Sequence, residues 1–213
     1  MTSGSSRSMP AFDSASEPSE PGTTTFLLSP AHSGGRRARV LLNEGADFEL
    51  ARRVREPEGA PIGEVFSFLS GLYFRGKLAY AARFAQPGDG VQVITTDRGL
   101  LPIDTLITAD DLRSFSELAI DIHDRRYRES LERDLHELNA DRIVFLGSIA
   151  TRKYLGILFD ILEERLFYPA AFVGLGDMSR GAMLLNAVRT GRELDYLPAS
   201  RLPSEVRRGH RHA

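Results

Sequence analysis

The chain contains no cysteine, which excludes disulfides, thiolate nucleophiles, zinc fingers and iron–sulfur clusters. Lysine is scarce too: of the 27 basic residues only Lys77 and Lys153 are not arginine. No uninterrupted apolar run approaches the roughly 20 residues needed to cross a bilayer, so no membrane partner is expected. The five histidines, His32, His123, His136, His210 and His212, form no H-E-x-x-H and no carboxylate spacing that suggests a metal cage. Neither a metal nor another cofactor is expected. The N-terminus has no apolar h-region and does not read as a secretory signal, so the expectation is a cytoplasmic protein, acting as a monomer.

What is present is enough for one sizeable core. The 213 residues are 42% hydrophobic and 26% charged, with a net charge of −2, a composition of globular rather than disordered chains. Residues 1–23, rich in Ser and Pro, read as a disordered tail. Residues 24–196 read as a single α/β domain, and 197–213, which end in RRGHRHA, as a basic C-terminal tail. The arginine excess fits either a phosphate-binding surface or an arginine-rich codon usage.

Three runs are apolar without alternation, as strands buried on both faces are: Thr24–Ser29, Val91–Thr96 and Arg142–Gly147. Ala170–Val173 is a short fourth candidate. Helical patterns fall between them at Asp47–Val54, Ile62–Leu69, Gly71–Phe84, Tyr127–Leu138, Ala150–Leu166 and Met178–Val188. The alternation predicts a three-layer α/β sandwich with a mainly parallel central sheet of about four strands.

Parallel sheets bind ligands outside the carboxyl ends of their strands. After the first strand come Ser29, His32, Ser33, Gly34, Gly35 and Arg36, a set suited to an anion but lacking the Gly-Lys-Ser/Thr of a P-loop. After the second, Asp97 and Asp104 flank Leu100-Leu101; they fit divided acid–base work, or a turn that simply favours Asp. After the third, Gly147-Ser148 leads directly into a helix. Gly174-Leu-Gly-Asp177 opens the last helix, where Asp177 is placed to cap and Ser179 and Arg180 lie in the first turn. At least three of these four segments are expected to line one cleft.

Several of these pieces resemble a group of uncharacterised bacterial domains related to YaaA, the peroxide-stress protein. The likeness rests on Leu28-Ser-Pro-Ala-His-Ser-Gly-Gly35, Leu72-Tyr-Phe-Arg-Gly-Lys-Leu-Ala-Tyr-Ala81, Arg98-Gly-Leu-Leu-Pro-Ile-Asp104 and Gly174-Leu-Gly-Asp177. The first motif departs from the commonest family form, in which a Cys or Lys often follows the strand. Arg142–Leu155 also looks like the late strand and helix of the uracil-DNA glycosylase superfamily, although no G-Q-D-P-Y and no H-P-S is found. That scaffold likeness implies a nucleic-acid base in the pocket more than it implies uracil.

The resulting expectation is a DNA glycosylase-like enzyme that flips a modified or noncanonical base out of DNA, or RNA, and cleaves its N-glycosidic bond in repair or phage defence. Asp104, then Asp97, is expected as the catalytic carboxylate. Ser29, His32, Tyr73, Phe74, Ser148 and Asp177 are expected around the base. Ser33, Gly34, Gly35, Arg36, Arg75, Lys77 and Arg180 are expected on phosphates. The alternatives are a non-enzymatic nucleic-acid-binding stress protein and a protein that binds a nucleotide or other small molecule.

Overall fold

The structure, a computed structural model, describes residues 22–149 and 152–202; of the expected tails, residues 1–21 and 203–213 lie outside them. The chain enters at β1 (Thr24–Leu28), whose five residues are all buried. It continues through α1 (Arg36–Leu41), α2 (Glu49–Arg55), β2 (Ala60–Pro61), α3 (Ile62–Ser70) and α4 (Leu72–Phe84) to β3 (Gly90–Ile94). There follow β4 (Leu100–Pro102), β5 (Leu106–Ile107), α5 (Ala109–Glu117), α6 (Arg125–Glu137) and β6 (Arg142–Leu146). The last part comprises α7 (Arg152–Leu162), β7 (Leu166–Pro169), α8 (Asp177–Thr190) and β8 (Tyr196–Pro198).

The fold is mixed α/β, with a mainly parallel sheet in the order β4-β3-β1-β6-β7-β8 and a small antiparallel sheet of β2 and β5. β1 lies between two parallel neighbours, with Phe26 level with Val91 and Val144, and Leu28 level with Val93 and Leu146. This is why Phe26-Leu-Leu28 shows no polar alternation: both faces are covered. From β1 the chain crosses to β3 on one side, whereas from β6 it crosses to β7 on the other. Such a reversal opens a crevice between the carboxyl ends of the two strands, here β1 and β6.

The central sheet has six strands rather than about four. β4 and β8 are antiparallel edge strands of three residues each, too short for a periodicity to reveal. The expected strand at Ala170–Val173 is a 3-10 turn at Ala170–Phe172, and the strand precedes it at Leu166–Pro169. α7 therefore stops at Leu162, ahead of a 3-10 turn in which Glu163 takes a φ of +47°. Pro169 has no N–H to extend the ladder. At the C-terminal side the folded part passes residue 196, since Leu197 pairs with Tyr168 and Leu202 is buried.

Two glycines determine how α8 sits on α4. A Cβ on Gly76 would lie 2.8 Å from the Gly181 carbonyl oxygen, and one on Gly181 would lie 2.9 Å from Tyr73 Cα. Without side chains at the crossing, the backbones touch. Tyr73 and Lys77 on α4 are thereby set beside the first turn of α8, which carries Asp177 and Arg180.

Candidate functional site

Ser29 is the first residue beyond β1, and its N–H still reaches Leu146 O at 3.5 Å. It therefore marks the junction of β1 and β6 where the crevice opens. Lys77, only 1% exposed, points its amine at this residue, donating to Ser29 O at 2.5 Å and Ser29 Oγ at 2.9 Å. The rings of Tyr73 and Phe74 hold Nζ, each with its centroid 4.7 Å away. Burial pushes the amine down from its ordinary 10.5 to about 7, against a smaller upward pull from Asp177.

Arg180 is also buried, with Nη1 3.2 Å from Asp177 Oδ1 and the guanidinium over the Phe172 ring. Its Nε has no hydrogen-bond partner among the described residues, and neither does the Tyr73 hydroxyl. Burial raises the Tyr73 phenol strongly while the neighbouring Arg180 charge opposes part of the rise. On α7, Tyr154 is pushed up to about 12 by burial, with Asp177 adding to the shift. Asp177 thus acts electrostatically on Lys77, Tyr73 and Tyr154, groups from two other helices. It is the first helical residue rather than the cap: Gly176 holds that position and makes no side-chain capping bond.

A second group adjoins the carboxyl end of β3. The chain turns there through Thr95–Gly99, with Thr95 N–H donating to Gly99 O at 2.8 Å and Gly99 at a φ of +66°. Asp97 Oδ2 accepts from Ser114 Oγ at 2.5 Å. Asp97 Oδ1 is buried without a hydrogen-bond partner, its nearest cation being Arg98 Nε at 4.0 Å. Arg98 itself pairs with Asp111.

Asp104 is separated from this group. Leu100–Pro102, expected as loop, is strand β4, which runs back along β3 until Ile103 N–H donates to Val91 O. The exposed Asp104 follows at the amino end of β3, away from the crevice. The two carboxylates therefore stand at opposite ends of a strand pair, not on one loop.

Other expected positions also change. Phe74 is fully buried, edge-on to Phe66 at 5.5 Å, and presents no face for a base. Lys77 and Arg180 lie inside the protein instead of on a phosphate-facing surface. Arg75 is exposed and, with Arg37, Ser67, Phe68 and Gly71, lines an open pocket of about 460 Å³. Arg36 is exposed on the first turn of α1. Ser33 is buried, Ser148 is half-buried beyond β6, and His32 is exposed. Gly34 and Gly35 adopt no positive φ. At Gly35 the constraint is closeness, as a Cβ would lie 3.0 Å from His32 Nδ1.

Tyr154, Ser114 and Arg37 were missed by sequence reasoning. Tyr154 lies in the first turn of α7, six residues after Ser148, and Arg37 is the second of two adjacent arginines. Ser114 carries no local signal, since only folding brings it to Asp97. Among the described residues no cluster of three or more His, Asp or Glu could hold a metal ion, and no helix is long and apolar enough to cross a membrane. No family model, curated protein or solved structure matches the chain.

Proposed function

We propose that the crevice between the ends of β1 and β6 accepts a nucleic-acid base and that the protein cleaves its N-glycosidic bond, acting on DNA. The supporting observation is that the buried Tyr73 hydroxyl and Arg180 guanidinium adjoin each other beside Asp177 at a topological switch point, with neither the hydroxyl nor Arg180 Nε in a well-formed hydrogen bond. Unsatisfied buried polar atoms cost stability and are retained where a ligand completes them. Tyr73, Tyr154 and Ser148 border the base. Asp97 is the carboxylate that stabilises the oxocarbenium-like transition state, one oxygen fixed by Ser114 and the other unbonded.

The same proposal includes a cytoplasmic monomer working in repair or phage defence. It also includes a three-layer arrangement: right-handed crossovers from β1 to β3 and from β3 back to β6 carry their helices to opposite faces.

The test is incubation of purified protein with duplexes carrying modified bases, followed by alkali. Strand breaks that fall by about 100-fold or more in Asp97→Asn support the function. Intact strands on every duplex reject it. The Arg37 and Arg75 pocket favours a second function, nucleic-acid binding without chemistry. Such a binder loses affinity steeply with salt, tolerates Asp97→Asn and releases no base.

A further inference from the structure

A buried lysine amine is costly unless a partner meets its charge, and the usual partner is a carboxylate. Among the described residues no carboxylate lies within 4.0 Å of Lys77, and both hydrogen bonds of its amine go to Ser29. Two aromatic rings at 4.7 Å fix the nitrogen where it is. A neutral amine in this place has an N–H for the Ser29 carbonyl and a lone pair for the Ser29 hydroxyl. Serine with a lysine base is a known arrangement for nucleophilic catalysis.

We propose that Ser29 and Lys77 are a nucleophile–base pair at the mouth of the crevice, giving the protein a reactivity toward acyl esters that is separate from glycosidic cleavage. Ser29 is the less buried member, 6% exposed against 1% for Lys77, and it directly follows the strand on which the crevice opens. In the first step Ser29 Oγ bonds to the ester carbonyl carbon, its proton passes to the Nζ lone pair, and the carbonyl π pair moves onto oxygen. Collapse of this intermediate breaks the bond to the leaving alkoxide, which takes the proton from Nζ. Water repeats the sequence on the acyl-serine, releasing the carboxylic acid and restoring Ser29. No oxidant, metal or co-reactant is needed. Arg180 brings an unused Nε–H to the same cluster as a donor for negative charge.

The experiment uses the full chain and a fluorophosphonate probe, with no nucleic acid present, so its result is independent of base excision. Attack by Ser29 Oγ on phosphorus expels fluoride and leaves a stable phosphonyl adduct, read by intact mass and located by peptide mapping. One adduct on Ser29 is expected, absent from Ser29→Ala. Lys77→Arg, which keeps the charge but supplies no base, is expected to slow labelling by about 100-fold or more. The wild-type rate should rise about tenfold per pH unit up to about 7 and then level off. Absence of an adduct on folded wild-type protein at pH 8, or an adduct mapped elsewhere, overturns the proposal. Because the wild-type measurement is decisive alone, a variant that fails to fold leaves the outcome readable.

Discussion

Gly76 of α4 and Gly181 of α8 face each other so closely that a Cβ on Gly76 would lie 2.8 Å from the Gly181 carbonyl oxygen. This crossing places the Lys77 amine and the Arg180 guanidinium in one buried cluster. Both are basic side chains on helices far apart in sequence, and the charged form of each is expensive to bury. The glycines supply the closeness, and Ser29, Asp177 and the aromatic rings supply the partners.

Gly76→Ala should therefore destabilise the protein by about 1–3 kcal/mol, because the neighbouring atom is backbone and cannot swing aside. Gly34→Ala is the comparison. Its Cβ would find nothing closer than 3.8 Å, and φ there is not positive. A change within about 0.5 kcal/mol is expected for it. Urea unfolding measures both, and equal losses would show that the helix crossing is not the constraint.

Lys77→Met should alter how stability depends on pH. The folded amine titrates near 7 and the unfolded one near 10.5, so between these values the unfolded chain binds more protons. Wild-type stability then rises with pH across this window, by up to about 1.4 kcal/mol per unit, and the charged form is least tolerated below it. Any advantage of the methionine variant is thus largest near pH 6 and shrinks toward pH 10. Parallel stability curves for the two proteins from pH 7.5 to 9.5 would show that the amine is not depressed.

Asp177→Asn removes the charge that raises both Lys77 and Tyr154. The Lys77 pKa should fall below about 7 and that of Tyr154 below about 12. Nitrogen-15 spectra of the lysine side chain and tyrosinate absorbance read the two shifts. Movement of neither would separate Asp177 from the cluster.

Asp134→Ala tests how the carboxyl end of β3 is held. Asp134 Oδ2 accepts the Leu100 N–H at 2.7 Å, tying α6 to the turn that carries Asp97. Loss of this acceptor from a partly buried amide should cost about 1–3 kcal/mol. Thermal melts measure it, and faster amide exchange at Leu100 would localise the effect to the turn.

The sequence by itself determined the class of fold, a mixed α/β chain with a mainly parallel central sheet. β1 and β6 are legible because strands covered on both faces must be largely apolar, a constraint written in consecutive residues; β3, half-buried over its first three residues, still shows Val91, Val93 and Ile94. The expectation that ligand-facing loops follow those strands needs only their parallel direction. Tertiary structure alone decided which residues meet. Lys77 and Ser29 are 48 positions apart, and nothing in the periodicity of α4 says that its lysine points inward. In the sequence Asp104 ranks ahead of Asp97 within one loop, but β4 forms between them and carries Asp104 to the other end of the strand pair. Edge strands of three residues bury too little to leave a pattern, so β4 and β8 exist only because β3 and β7 offer them unpaired backbone groups. Local chemistry fixes elements, whereas long-range packing chooses which side chains lose their water, and that choice created the buried amine.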